Sequence, residues 1–527
     1  MRAWISVALV VIATGAIRWR LLDVPLDRDE GEYAYMGHWL REGILPYASA
    51  YSMKLPGIYA VYAGLLKLFG ETSSGIRLGL ALVTSASTVC VFILGCRLLG
   101  PWPGVAAAAT FATLTLSPAF LGLAANAEHF AVLPGLVGII VLLSAARAGS
   151  IDAGSMSAGS VVSWLAAGIL FGLAILIKQH AVCFLLFAVV FLGVSRALRA
   201  LAFVVAGALV PVAAVAVWFA SAGAFARLWF WTVSYALAYA SIRSPADGLA
   251  VLPDVLGVML PPCMASLALA AVGAVFTVWD RDLRPVARVL VPLTLVSLLS
   301  TSIGFYFRQQ YFLLLIPALS LLTGVAVDEL SHRLERRLGR LGVWAAAAVI
   351  VLALTHTVWA QRAILFRFGP AAIARAVYGG NPFPESVAVG RYLRERTAAG
   401  DRVVVMGSEP EIYFYANRPA GTRYIYMYPL FEPQPYAGAM QDELIRDVEA
   451  AAPRFVVYVN VPTSWLVSAA APRRVLDWFD TYRDAHLEQV GLVDMLTPTL
   501  TMVYWDGQAL GRTPRSNLWL AVYRRRD

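Results

Sequence analysis

The chain has 527 residues, of which 59% are hydrophobic and 14% charged, and its mean hydropathy is +0.68, so most of its length prefers hydrocarbon to water. The net charge of +9 does not indicate a nucleic-acid partner, because the arginines cluster at the ends of apolar stretches rather than along one face. Cys90, Cys96, Cys183 and Cys263 all lie in apolar stretches, so neither a disulfide framework nor a thiolate metal site is indicated.

The first segment, "MRAWISVALVVIATGAIRWR", has no small-residue cleavage site before Arg18 and reads as an uncleaved membrane helix rather than a signal peptide. A crossing takes about 20 apolar residues. On that scale spans are predicted near 3–21, 76–96, 103–122, 129–146, 161–177, 181–195, 200–220, 249–279, 289–304, 310–327 and 341–360. The connections holding Arg97, Arg147, Arg196 with Arg199, Arg281 with Arg284 and Arg288, and the run "SHRLERRLGR" (331–340) are short and basic. The positive-inside rule makes them cytoplasmic. The expected topology is therefore multi-pass in a plasma (inner) membrane with the N-terminus cytoplasmic. Residues 22–75, 121–128, 178–180, 221–248, 305–309 and all beyond 361 then lie outside. The stretch "AGSIDAGSMSAGS" (148–160) reads as a flexible cytoplasmic connector.

The first outer loop interrupts this apolar chain with "DRDEGEYAYMGHWLREGILPYASAYSMKLPG" (27–57). Asp27 fits an N-cap, Glu30 falls at the third helical position as in a capping box, and Gly43 suits a helix stop. Capping alone accounts for acids here, but Asp29 projects away from Glu30 and is not needed for the cap. Glu30, Tyr33, Ala34, Gly37, His38 and Arg41 share one face by helical spacing. Lys54 adds a cation that either snorkels at the interface or binds a ligand, and "IYAVYAGLLKLFG" (58–70) reads as an interfacial helix. Carboxylates and a lysine at the membrane surface suit a substrate with one apolar end and one anionic group.

Further along, Glu128 and His129 in "NAEHF" fit helix capping or anchoring, with a substrate role as the alternative. Lys178 sits where snorkelling alone is adequate. The aromatic stretch 227–243 reads as an interfacial belt that also suits a lipid tail. His332 and His356 suggest no metal cluster. The tail changes character: 401–407 and 454–460 read as buried strands and 436–451 as an amphipathic helix, a small α/β domain. No dinucleotide or P-loop glycine motif appears in the sequence.

The order of an uncleaved first helix, Asp29-Glu30-x-x-Tyr33, "GILPY" (43–47), "KLPG" (54–57) and "FG" (69–70) resembles the GT-C glycosyltransferases of the protein-O-mannosyltransferase and lipid A aminoarabinose transferase type. "FYFRQQYFLLLIPALSLLTG" (305–324) and the tail stretch from 401 are similar to later parts of that family. The resemblance implies a GT-C fold: a polytopic α-helical membrane domain over 1–365 with about 11 crossings, its catalytic loop at 22–75, and a soluble extracytoplasmic α/β domain over 381–527. It also implies Asp29 as catalytic base, with Glu30 orienting substrate or loop, and Lys54 on the donor phosphate. Arg308 and Tyr311 are further phosphate-side candidates, although Gln309 and Gln310 stand where the family often has histidine and tyrosine. Tyr33, Glu128, His129 and Lys178 are further substrate-side candidates. Leu55 and Gly57 depart from the family's lysine motif.

The function so implied is inverting transfer of a sugar from a polyprenyl-phosphate donor to an envelope acceptor, whether glycolipid, cell-wall glycan or protein, with membrane lipid around it and with no metal or other cofactor. A transporter or flippase of a lipid-linked sugar is the alternative, but the strongest acidic cluster lies in an outer loop and no inverted repeat is evident. A mere anchor for the tail would not need so many spans.

Overall fold

The structure, a computed structural model, describes residues 1–147 and 158–526. Most of the glycine/serine connector expected at 148–160 lies outside the described residues. Every predicted span is largely covered by a helix, and eight helices among the described residues are long and apolar enough to cross a membrane. Of the other predicted spans, Pro101–Leu116 and Val182–Val194 are short helices, and Ile316–Leu338 is apolar only in its first half. The basic run 331–340 differs from expectation. It is no loop but the last turns of Ile316–Leu338, broken only at Gly339, whose φ of +59° needs a residue without a Cβ.

Two helices between the first two predicted spans do not cross. Arg28–Arg41 is polar, and Gly57–Phe69 is too short to cross the bilayer. Glycines set close approaches here. A Cβ on Gly57 would lie 2.4 Å from the Leu176 carbonyl oxygen, and one on Gly31 would lie 2.5 Å from the Glu411 backbone nitrogen. The first contact accounts for the glycine that ends "KLPG", and the second presses the acidic helix onto the tail.

The tail holds strands β1 (Val403–Met406), β2 (Phe455–Asn460), β3 (Leu487–Thr497), β4 (Leu500–Trp505) and β5 (Trp519–Arg525) in the order β1-β2-β5-β3-β4. Only β1 and β2 are parallel, with Val405 opposite Val457. Their side chains are nearly all buried, as the continuous Val-rich runs require. The helix expected at 436–451 is present as Ala437–Ala451. The sequence reading missed the helices Phe383–Arg396 and Arg474–His486 and the three antiparallel strands. The tail is not packed independently of the loop: Leu26, Tyr33, Tyr59 and Tyr62 share one core with Val403, Tyr413, Val457 and Val522.

Candidate active site at the loop and tail junction

The acidic helix begins as its spacing predicts. The Asp27 carboxylate accepts from the Glu30 N–H at 2.9 Å, and Glu30 accepts from the Asp27 N–H at 3.0 Å. Glu30 also accepts from the Ala125 N–H at 2.6 Å and pairs with Arg77 at 2.8 Å, and its side chain is fully buried. With both oxygens engaged and no surface exposed, Glu30 holds the loop in place and is not presented to a ligand.

Asp29 points elsewhere. Its Oδ1 receives Lys54 Nζ at 2.9 Å and the Tyr426 hydroxyl at 2.9 Å, while 28% of its side chain stays open. Burial works against its charge, but the Lys54 ammonium outweighs that and holds the carboxyl well below the usual range. The same lysine donates to Glu32, whose other oxygen takes the Tyr59 hydroxyl at 2.7 Å. Lys54 lies over the rings of Tyr33, at 4.7 Å, and Tyr426, at 5.2 Å. Burial opposes the Lys54 charge, and Asp29 and Glu32 together raise its pKa above the ordinary value. The backbone is fixed as well: Tyr47 donates to the Lys54 carbonyl at 2.6 Å and Gln179 to the Met53 carbonyl at 2.8 Å.

Beside this cluster, Lys178 pairs with buried Glu128 at 2.9 Å and lies 4.9 Å over the Tyr311 ring. Tyr311 also packs against His180, with ring centroids 4.3 Å apart. Lys178 and Arg308 both act electrostatically on Asp29. Arg308 is exposed, 5.6 Å over the Tyr306 ring, and has no carboxylate partner among the described residues. It follows left-handed backbone at Phe305 and Phe307, a conformation costly for residues with a Cβ. His129 is buried with its Nε2 unpartnered.

The structure thus brings together Asp29, Tyr33, Lys54, Glu128, Lys178, Arg308 and Tyr311, and sets Glu30 and His129 behind them. The sequence reading missed Glu32, Tyr59 and Tyr426. Glu32 had a signal, since it stands one helical turn after Asp29 on the same face. Tyr426 had none. It arrives from the tail, which is anchored by the Arg28–Glu409 pair at 2.8 Å, by the Tyr415 hydroxyl accepting from the Leu26 N–H at 2.8 Å, and by the Tyr35 hydroxyl accepting from the Ala420 N–H at 2.9 Å. Among the described residues no group of acids, histidines and cysteines is arranged to hold a metal ion.

Residues 54–221 match the family model of dolichyl-phosphate-mannose-protein mannosyltransferases. The whole chain is similar in fold to ArnT from Cupriavidus metallidurans bound to undecaprenyl phosphate, with a TM-score of 0.56 and 19% identity over 98% of this chain and 97% of that one. It is also similar to the oligosaccharyltransferase AglB from Archaeoglobus fulgidus in complex with an inhibitory peptide and a dolichol-phosphate. There the TM-score is 0.54 and the identity 11%, over 95% of this chain and 74% of that one. No curated protein matches the sequence.

Proposed function

We propose that this chain, whose fold is that of the GT-C membrane glycosyltransferases, moves a sugar from a polyprenyl-phosphate donor to an envelope acceptor on the outer face of the plasma membrane. The observation that carries this reading is the partly open Asp29, held between a lysine and a tyrosine hydroxyl, with Lys178 and Arg308 acting on it. Similarity in fold to two proteins bound to polyprenyl-type phosphates supports the donor class. In this topology the N-terminus is cytoplasmic, residues 1–365 form the membrane domain, and residues 381–527 form an outer domain that closes over the site.

Asp29 takes the proton of the acceptor hydroxyl as the acceptor oxygen bonds to the anomeric carbon. The bond from that carbon to the phosphate oxygen breaks, its electron pair leaving on the phosphate, and attack opposite the phosphate inverts the centre. Lys54 and Arg308 stabilise the charge that develops on the departing phosphate, with Lys178 and Tyr311 lining the same side and Tyr33 supporting Lys54. Glu30 and His129 support the site from behind, and Glu128 holds Lys178 within it. Protein cations suffice for a single phosphate, so no metal is called for.

The test is transfer by purified protein in detergent with EDTA, offered polyprenyl-phosphate sugars and nucleotide sugars separately, with extracted envelope lipids, glycans and proteins as acceptors. Transfer from the lipid-linked class alone is expected. Transfer from a nucleotide sugar, or none from a broad lipid-linked panel, would favour transport of a lipid-linked sugar instead.

A further inference from the structure

At the centre of the site two carboxyl groups share one ammonium. Lys54 Nζ reaches Asp29 and Glu32 together, and Glu32 is itself fixed by the Tyr59 hydroxyl and is almost wholly buried. Glu32 cannot be the base, because its side chain is only 1% exposed and both its oxygens are engaged. Nor is it part of the helix cap, which Asp27 and Glu30 complete between them. Asp29, meanwhile, has its Oδ1 occupied twice, by Lys54 and Tyr426. An aspartate pinned by an ammonium is a poor acceptor for a hydroxyl proton. This arrangement is therefore a resting state, and something must draw Lys54 aside.

We propose that Glu32 is a positioning residue that holds Lys54 against Asp29 until a donor phosphate draws the lysine away and frees the base. This rests on reading the chain as a polyprenyl-phosphate sugar transferase. Arg308, exposed, hydrogen-bonded to Tyr239 and in no ion pair among the described residues, is a further cation available to the phosphate. Lys54 is suited to change partners, since its ammonium is a compact charge on a flexible stem with three donors. After the exchange Glu32 keeps Tyr59 and Asp29 keeps Tyr426, so neither carboxyl is left without a hydrogen bond. The device links two events: the base becomes competent only in a site that already holds donor, which disfavours reaction of the acceptor side with an empty site.

The carboxyls compete with the phosphate for Lys54, so removing either should strengthen phosphate binding, by linkage. The probe is undecaprenyl phosphate, titrated in detergent at low ionic strength against the full-length protein and its variants. Glu32→Gln and Asp29→Asn should each bind it more tightly than the unaltered chain, on the order of fivefold or more. Adding Lys54→Ala to Glu32→Gln should abolish the gain. A Glu32 that serves only to shape the loop predicts the opposite sign, a loss or no change in Glu32→Gln, and that result in the folded variant overturns the proposal. If Glu32→Gln fails to fold, Asp29→Asn decides, because Asp29 lies outside the cap and is partly open. Absence of binding by the unaltered chain would overturn the transferase reading and this proposal with it. Normal binding with no gain in either variant would overturn this proposal alone.

Discussion

Asp29 and Glu30 are neighbours in sequence, on one helix, and the structure treats them in opposite ways. Glu30 is fully buried and engaged by Arg77, the Ala125 N–H and the Asp27 N–H, whereas Asp29 keeps 28% of its side chain exposed between Lys54 and Tyr426. A saturated, buried carboxylate holds structure, because any displacement leaves a charge without a partner. A partly open one can exchange partners, which is what proton transfer needs. One helical position, about 100° of rotation, separates the saturated carboxylate from the partly open one.

The comparison breaks most visibly at Asp29. Asp29→Asn should lower sugar transfer by about 10²–10⁴-fold, the range for loss of a general base, while leaving the thermal unfolding midpoint in detergent close to that of the unaltered chain. Near-normal turnover by a well-folded variant would remove Asp29 from the mechanism. Glu30→Ala should do the reverse. It leaves Arg77 buried without its carboxylate and should cost about 3–5 kcal/mol of stability, read as a lower unfolding midpoint and poor recovery from the membrane. If Glu30→Ala melts normally but loses activity, the division of labour drawn here is wrong.

Smaller effects sharpen the same contrast. Lys54→Ala and Arg308→Ala should each weaken donor binding by about 1.5–3 kcal/mol, the worth of a hydrogen bond to a charged group, with less effect on the acceptor. Unchanged donor affinity in both would place the phosphate elsewhere. The last test concerns the tail anchor, where Glu409 pairs with Arg28 and Glu411 has only the Ser386 hydroxyl, at 2.8 Å, for one of its oxygens. Burial, with the Glu409 charge next, pushes the Glu411 carboxyl from its ordinary 4.5 up to about 8. Because the carboxyl is then neutral in the folded chain but ionises near 4.5 once unfolded, folding takes up a proton between those pH values. Stability should therefore fall as pH rises through that window. Glu411→Gln should flatten that slope in melting curves; an unchanged slope would assign it to other groups.

Much of this was legible in residues alone. The membrane class follows from long apolar runs, since hydrocarbon leaves the backbone no partner outside a helix. The capping box follows from Asp27 and Glu30 standing three apart, and the acidic loop stood out because ionisable groups are costly beside a bilayer. Local rules of this kind act within a few residues, so the residues alone settled where the apolar helices lie, that Asp27 and Glu30 form the cap and that Asp29 is spare, but not the tail helices Phe383–Arg396 and Arg474–His486. What the spare acid touches was settled only by the tertiary fold. Lys54, 25 residues on, and Tyr426, 397 residues on, reach Asp29 because the loop and the tail bury one common apolar core. That packing is non-local, driven by apolar area removed from water without regard to chain position, and no spacing rule could have placed a tail tyrosine on a first-loop aspartate.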